Sequence, residues 1–286
     1  MDPINKKVDF AVIFTVINAN PNGDPLNGNR PRTNIEGYGE VSDVCIKRKI
    51  RNRLIDLGKN IFVQSNDRAV DSYKSLRERA DESGLKGIKD EDEYTEKACS
   101  MWYDVRAFGQ LFAFSGKNKD KGVSVGIRGP VSVHPAFSLS PVSISSTQIT
   151  KSVNSEPPKG ESSRSSDTMG MKYRVDAGTY VFYGSINPQL ARKTGFSEED
   201  AEAFKEALRT LFLNDSSSAR PEGSMDVKKI YWWVHDGPNG QYSSAKVHGS
   251  LKIAPREDIA DPKFFEDYEF RIEPLEGLVP EKVEPF

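Results

Sequence analysis

The chain has 286 residues, which suits one large domain with insertions or two domains. Its residues are 36% hydrophobic and 29% charged, and the formal net charge of −2 gives no overall attraction to nucleic acid or to anionic membranes. A nucleic-acid site would therefore be a local patch. The two cysteines argue against a disulfide scaffold, and we find neither a signal peptide nor an apolar run that spans a bilayer. We expect a cytoplasmic protein that does not bind membranes.

The chain begins with a strand that leads into an unusual loop. Residues 8–17 (VDFAVIFTVI) are β-branched and aromatic and predict a buried strand. Residues 16–34 (VINANPNGDPLNGNRPRTN) then contain six Asn, three Pro and two Gly, more turn-forming residues than a hairpin requires. Asn and Gly tolerate left-handed backbone and expose N–H groups, so this stretch is either an anion-binding loop or an ordinary turn-rich loop. Its neutral amides are poor calcium ligands.

A basic amphipathic helix follows the loop. Ser42 can cap it and Gly58 can end it. Its apolar side is predicted to hold Val44, Ile46, Ile50, Leu54 and Leu57. Its other faces carry five cations in seven residues, Lys47, Arg48, Lys49, Arg51 and Arg53. Such a row can contact successive phosphates, and the alternative is a solvated helix face. Because strand, loop and helix are consecutive, four cations are expected to converge at one edge of the sheet, namely Arg30, Arg32, Lys47 and Arg51.

The middle of the chain reads as an insertion followed by a projecting segment. Residues 64–97 are charged and helix-forming, contain two glycines as breaks, and predict an appended helical segment outside the core. Residues 97–114 place apolar side chains at helical spacing and predict a helix with one buried face. Residues 122–133 alternate as a strand does. Residues 138–168 are rich in Ser and predict a long projecting hairpin or a flexible loop.

The base of the projecting segment carries side chains that suit contact with a partner. Gln148 and Lys151 lie on the outgoing arm, and Met169, Lys172 and Arg174 lie on the returning arm. Exposed methionines near a loop base are unusual unless they contact a partner. An apolar wedge can separate stacked bases, and the alternative is a methionine that covers a local cluster.

The last part of the chain adds a return strand at 171–188, a capped helix at 197–215, and strands at 228–235, 245–253 and 267–274. The full order is strand, helix, insertion, strand, projecting segment, strand, helix and strands. This order predicts an α+β fold around an antiparallel sheet. A split βαβ, ferredoxin-like core with long insertions fits it well.

No group of residues in the sequence points to catalysis or to a metal. We find no Ser-His-Asp pattern, no Cys-His pair, no Walker loop and no histidine–carboxylate cluster. His134, His235 and His248 are scattered singly and are expected to be surface or structural residues. Asp24 is the one acid whose loop position could assist RNA cleavage, with an ordinary turn residue as the alternative. No cofactor is expected.

Seven segments, in chain order, resemble one family. They are FTVINANPNGDPLNGNRPRT, VSDVCIKRKIRN, YDVRAFG, GIRGPVSVHPAFSLSPV, QITKSVN, DTMGMKYRVDAGTYVFYG and KTGFSEEDAEAF. The resemblance runs from about residue 8 to about residue 250. The chain is similar to the backbone subunit of CRISPR Cascade surveillance complexes, the Cas-seven superfamily. The type I-C branch is the most similar, with type I-B relatives next.

The resemblance implies a fold and a function beyond what the residues themselves show. It implies one RRM-like palm domain over residues 1–286, with a helical finger-type insertion at 60–97 and a thumb-type segment at 140–175. It implies a subunit that is not an enzyme and that lines up in several copies along a guide RNA (crRNA). Its partners would be crRNA, target DNA through the guide, further copies of itself in a helical filament, and other Cascade subunits.

The resemblance also implies a set of RNA-binding residues. In the palm these are Asn18, Asn20, Asn22, Arg30, Arg32, Lys47, Arg48 and Arg51. In the thumb they are Gln148, Lys151, Met169, Lys172 and Arg174. The thumb is unusually rich in Ser, which leaves its wedge residue open. Two other readings stay open as well: a type III-like guide-directed RNA endonuclease that uses a loop acid, and a loop-rich structural or ligand-binding protein without nucleic acid.

Overall fold

The computed structural model describes residues 2–114, 123–150 and 169–286. Its strands are β1 (Val8–Ala19), β2 (Gly23–Asp24), β3 (Arg30–Pro31), β4 (Tyr38–Val41), β5 (Gly109–Phe114), β6 (Val123–Arg128), β7 (Val131–Val133), β8 (Ala136–Pro141), β9 (Ile144–Thr150), β10 (Met169–Ile186), β11 (Met225–Val234), β12 (Leu251–Pro255), β13 (Tyr268–Ile272) and β14 (Glu281–Val283). Its helices are α1 (Asp43–Asp56), α2 (Leu76–Ala80), α3 (Glu91–Met101), α4 (Tyr103–Phe108), α5 (Pro188–Thr194), α6 (Glu198–Arg209) and α7 (Ser244–Ser250). None of the helices in these ranges combines the length and the apolarity that crossing a membrane requires.

The largest sheet has eight strands in the described part of the chain. Its order is β14-β11-β1-β10-β8-β4, and β7 and β9 also pair with β10. All of these pairings are antiparallel. The central strand β1 is buried on both faces over residues 8–16, which explains its nearly continuous apolar run. The prediction of an α+β protein built on an antiparallel sheet is confirmed.

One face of this sheet is covered by α1 and α6. The ring of Phe10 on β1 lies 5.5 Å from Phe204 of α6 and 5.6 Å from Trp232 of β11, measured between centroids. Ile46 and Ile50 of α1 are also buried in this core. Full burial of one such side chain contributes about 1.5–3 kcal/mol, so these contacts fix both helices on the sheet. Both helices were expected from the sequence, and both are confirmed.

The prediction for α1 is wrong at two residues. Val44 is 70% exposed, and Lys49 is only 4% exposed. Val44 lies two positions before Ile46, and residues two apart do not share a helix face. Lys49 follows Ile46 by three positions, so it lies on the buried side among the apolar residues.

The opposite face of the sheet is covered by α7 and by the β12–β13 hairpin. Ala11 and Ile13 of β1 point to this face, because neighbouring side chains along a strand point in opposite directions. They pack with Trp233 of β11 and Val247 of α7. The sheet is therefore the middle layer of the protein.

The prediction of a strand over 245–253 is wrong. Ser244–Ser250 is helix α7, and only the residues after it enter β12. The Ser243 hydroxyl accepts the Lys246 N–H at 3.3 Å, which caps the helix. The alternation of apolar and polar residues over 245–253 favoured a strand. Val247 would be buried in a strand as well as in the helix, so its burial did not distinguish the two.

Residues 60–114, together with β6, form a unit that we call the helical insertion. It has a hydrophobic core of its own, which includes Phe62, Tyr94, Trp102 and Phe112. The segment at 64–97 therefore lies outside the main core of the sheet, as its charge suggested. Its charged residues cover a small separate core.

The single helix predicted for 97–114 is also wrong. The backbone leaves the helix at Trp102, restarts as α4, and becomes strand β5 at Gly109. Gly109 has a φ of 78°, and a Cβ at this position would lie 2.2 Å from the Ile127 carbonyl oxygen. Only glycine allows both the left-handed backbone and this close approach of β6.

Two ion pairs join the helical insertion to the helices of the sheet. Arg51 Nε of α1 donates to Asp104 Oδ2 of α4 at 2.8 Å, and Arg106 of α4 pairs with Asp200 of α6 at 2.8 Å. Asp104 is buried and also accepts the Phe62 N–H at 2.6 Å. Because buried carboxylates need such partners, the insertion is held in a fixed position against α1 and α6.

Candidate nucleic-acid interface

The Asn-rich loop is held in shape by its own side chains. Asn20 is buried, its Nδ2 donates to the Asn29 carbonyl at 2.7 Å, and its backbone N–H donates to the Ala219 carbonyl at 2.9 Å. Asn22 Oδ1 accepts from the N–H and from the hydroxyl of Ser42, both at 2.9 Å. The loop is thereby tied to the beginning of α1. Asn20 and Asn22 shape the loop from inside.

The outer part of the loop is a short hairpin between β2 and β3. Asn18, before the hairpin, is exposed and has a φ of 52°, which Asn tolerates better than most residues. Asp24 Oδ1 accepts the Leu26 N–H at 3.2 Å and lies 3.3 Å from Arg32 Nη2. Asp24 therefore caps the turn, which agrees with the turn-residue alternative for this acid. In the ranges that the structure describes, no three His, Cys, Asp or Glu side chains lie together as a metal site would require.

The predicted row of cations along α1 does not face outward as a row. Lys47 pairs with Asp43 of its own helix at 3.1 Å. Arg51 points to Asp104, and its side chain is only 14% exposed. Arg48 is exposed. The four cations expected to converge each have a partner of their own, so their convergence stays a prediction; they are Arg30, Arg32, Lys47 and Arg51.

Lys49 belongs to a buried polar group behind the loop. It pairs with Asp215, which also accepts from Arg220 at 3.1 Å. Burial lowers the pKa of Lys49, against the opposing effect of the Asp215 carboxylate. Burial also raises the pKa of the neighbouring Cys45, whose thiol contacts the Pro21 carbonyl at 3.7 Å. Lys49 is buried, Asp215, Arg220 and Cys45 are partly exposed, and together these groups support the loop.

The projecting hairpin begins with a two-stranded stem, in which β9 pairs with residues 169–175 of β10. Directly paired side chains lie on the same side, and side chains alternate along each strand. One side of the stem therefore carries Gln148, Met169, Met171 and Tyr173, and the other carries Ile149, Lys172 and Arg174.

The predicted residues of the stem are thus divided between two faces. Met169 is 66% and Met171 is 50% exposed, so neither methionine covers a local cluster. Gln148 Nε2 lies 2.9 Å from the sulfur of Met169 on the same face. Lys172 and Arg174 are exposed on the opposite face. Lys151 lies outside the described residues.

The Asn-rich loop and the stem meet around the ring of Tyr173. The guanidinium of Arg30 lies 4.9 Å from the centroid of the Tyr173 ring. A Cβ on Gly28 would lie 3.9 Å from the same ring. The sequence reasoning did not select Tyr173. The two-residue spacing from Met169 through Met171 to Tyr173 was the available signal, since it puts all three on one face of a strand.

The expectation that the histidines are surface or structural residues agrees with the structure, because His235 and His248 contact the buried Asp9 and His134 is exposed beside them. His235 Nε2 lies 2.9 Å and His248 Nε2 lies 3.5 Å from the carboxylate of Asp9. His134 packs edge-on against His248, with 5.6 Å between centroids. Burial lowers the pKa of His248, although Asp9 opposes this effect. Asp9 lies at the opposite end of β1 from the loop, so this cluster is separate from the loop and the stem.

Together, the fold and the site define an α+β protein whose antiparallel sheet carries a fixed Asn-rich loop and a projecting stem with exposed methionines and cations. The profile of the family described as CRISPR-associated protein Cas7 matches residues 6–273. The chain belongs to the Cas7 family.

Individual relatives are more distant. A CRISPR-associated protein Cas7 from Haloferax volcanii is 26% identical over 235 residues, which cover 76% of this chain and 67% of the relative. The match to a solved chain named as a CRISPR RNA-guided surveillance complex, pre-nicking, covers 84% of this chain and 81% of the solved chain. The identity is 16% and the TM-score is 0.45. A second, named as a CRISPR RNA-guided surveillance complex, covers 79% and 68%, with 18% identity and a TM-score of 0.43.

Proposed function

We propose that this chain is a non-catalytic, crRNA-binding backbone subunit of a type I CRISPR surveillance complex in the cytoplasm, closest to the type I-C branch. Membership of the Cas7 family over residues 6–273 supports the class of protein. The observation that carries the RNA-binding part is the junction of the Asn-rich loop with the stem. There, a shaped loop and a projecting element with exposed methionines and cations lie side by side.

We also infer that the sheet is an RRM-like palm. The strand order β11-β1-β10-β8, with α1 following β1 and α6 following β10, has the connectivity expected of a split βαβ core. On this basis residues 1–286 form one palm domain, the segment at 60–97 is part of a finger-type insertion, and the segment at 140–175 is the thumb. The separate core of the helical insertion supports treating it as an appended unit.

In this proposal the two faces of the stem have different tasks. Lys172 and Arg174 contact phosphates, which adds affinity without reading sequence. Met169 and Met171 offer an apolar face against bases that are turned out of the stack. Base pairing between the guide and target DNA then supplies the sequence choice. Several copies would follow one another along the crRNA, with other Cascade subunits as further partners.

The test is sedimentation of the purified protein with single-stranded RNAs of increasing length and of two unrelated sequences. We expect the number of bound copies to rise in steps with RNA length and to be the same for both sequences. We also expect the RNA to be recovered uncut. The affinity falls as salt is added, and Lys172→Ala should make the slope of log affinity against log salt shallower by about 0.7. This is the value for one lost phosphate contact on a single strand.

The matched control is Lys193→Ala. Lys193 is exposed on α5, which follows the end of β10 opposite the stem, so its removal takes away one charge far from the loop and should leave the slope unchanged. A protein that stays monomeric while the RNA sediments alone would contradict RNA binding by the isolated subunit. Cutting of the RNA that Asp24→Ala abolishes would favour the endonuclease alternative.

A further inference from the structure

The contact between Arg30 and Tyr173 is the place where the loop hairpin touches the stem. β3, which contains Arg30, packs against β10, which contains Tyr173. The guanidinium lies 4.9 Å from the ring centroid, within the range of a cation–π contact. Gly28, on the same hairpin, also approaches the ring. Both Arg30 and Tyr173 are only partly exposed.

The contact between Arg30 and Tyr173 lies at the base of the stem. Tyr173 pairs with Ser146 near the base of the stem, two residues before β10 enters the buried sheet at Val175. Beyond it, Met171 and Met169 continue on the same face at two-residue spacing, as alternation along a strand requires. A two-stranded hairpin is only marginally stable by itself, so a side contact at its base adds stability where the stem leaves the sheet.

Arg30 differs from the other cations near the loop in the kind of group that it contacts. Arg32 is neutralised by Asp24 at 3.3 Å, and Lys47 is neutralised by Asp43 at 3.1 Å. In the described structure the partner shown for Arg30 is an aromatic ring on the neighbouring element. An arginine plane stacks on a ring in a defined orientation, so this contact can set an angle between two elements.

We propose that Tyr173 is a positioning residue, and that the stack of Arg30 on Tyr173 fixes the stem against the Asn-rich loop with the methionine face in a defined orientation. Arg30 then acts through Tyr173 and not as a phosphate contact. The part of this proposal that concerns RNA rests on the proposed function. The part that concerns the stem does not, because the contact exists in the chain without RNA.

The experiment combines hydrogen exchange of the free protein with RNA titration over a range of salt concentrations. The variants are Tyr173→Ala, Arg30→Ala, the double variant, and Tyr173→Phe as the control that keeps the ring. Exchange is followed in peptides that cover 144–150 and 169–175. We expect either alanine variant to raise exchange there by roughly two- to fivefold, as loss of one partly exposed cation–π contact predicts. The double variant should show no more than either single variant, and Tyr173→Phe should match the wild type.

With RNA, each alanine variant should weaken binding by roughly the same two- to fivefold factor and leave the salt slope unchanged. An Arg30→Ala variant that lowers the salt slope by about 0.7, while Tyr173→Ala binds normally, would make Arg30 a phosphate contact and overturn the proposal. Unchanged exchange in Tyr173→Ala would also overturn it. If the wild type binds no RNA, the proposed function fails, but the exchange measurement still decides whether the stack holds the stem.

Discussion

At the scale of single residues, the partners of a side chain decide its role, even where the sequence looks uniform. Arg48 and Arg51 lie on one helix, three positions apart, within the same run of cations. Arg48 is exposed, whereas Arg51 donates to Asp104, which is 1% exposed. Removal of Arg51 would leave a buried carboxylate without its charged partner, and such a group is costly. Removal of Arg48 leaves nothing buried without a partner.

We therefore expect Arg51→Ala to lower the free energy of unfolding by about 3 kcal/mol. Arg48→Ala should change it by less than about 0.5 kcal/mol, because it is an exposed surface substitution. Urea unfolding of the two variants beside the wild type measures both effects. Equal stability of the two variants would show that Asp104 does not depend on Arg51.

Apart from Val44, the sequence could predict the apolar buried side of α1, but not which cations are structural. The spacing of Ile46, Ile50 and Leu54 defines the buried side directly. The partners of Lys49 and Arg51 lie 166 and 53 residues away in the chain. A local pattern contains no information on such distant carboxylates. For the same reason, the sequence gave no sign that His235 and His248 share Asp9.

At the scale of elements, the first turn of α6 contains both the cap of the helix and a contact with the helical insertion. Ser197 and Asp200 form a capping box at the start of the capped helix that the sequence predicts. The Asp200 carboxylate also binds Arg106 through both of its oxygens, at 2.8 Å each. The Tyr103 hydroxyl donates to the Asp200 carbonyl at 2.6 Å. Asp200 thus helps to cap α6, which packs on the sheet, and also binds the helical insertion.

We expect Ser197→Ala to cost about 1 kcal/mol of stability, the usual effect of losing a cap. Asp200→Ala should cost about 3 kcal/mol, because it also removes the partner of the partly buried Arg106. Hydrogen exchange should rise in α4 for Asp200→Ala and stay unchanged there for Ser197→Ala. In a double-mutant cycle, Asp200→Ala and Arg106→Ala should be strongly non-additive. Additive effects would mean that the ion pair does not hold the insertion.

The elements that the sequence predicted correctly are those with a long apolar pattern or a clear cap. The strand at 8–17 and the helix beginning at Ser197 are examples, and both were confirmed. The failures lie at 97–114 and 245–253, where short elements follow one another. In the first, a close approach from Ile127 made glycine necessary and ended the helix. Neither the approaching strand nor the loop–stem contact is visible in a local window of sequence.

At the scale of the whole molecule, one polar cluster connects several elements of the sheet. Asp9 lies on β1, His235 follows β11, His248 lies on α7, and His134 follows β7. The His235 ring accepts the Gln241 N–H at Nδ1 at 3.0 Å, so its Nε2–H donates to Asp9 at 2.9 Å. Burial lowers the pKa of His248 in this cluster, so His248 makes the stability of the sheet layers depend on pH.

The pH dependence should come mainly from His248, whose pKa is lowered by burial from its ordinary value of 6.5. The groups around it are Asp9, His134, Lys7 and Tyr183, and its Nε2 donates to the Gly184 carbonyl at 3.1 Å. Between the lowered pKa and about 6.5, the unfolded chain binds more protons at this position than the folded chain. Stability in this window therefore rises with pH. The contribution of His248 is fully present above about pH 6.5 and is lost as the pH falls below it.

We expect the free energy of unfolding to fall when the pH is lowered from about 7.5 to about 5.5, and to fall less in His248→Gln than in the wild type. Gln keeps a donor for the Gly184 carbonyl but does not titrate, so the difference between the two proteins isolates the histidine. Urea unfolding at both pH values measures it. Equal losses in the two proteins would mean that His248 does not control this dependence. A smaller loss in the wild type would reverse the sign, and would show that the carboxylate of Asp9 outweighs burial and favours the protonated ring.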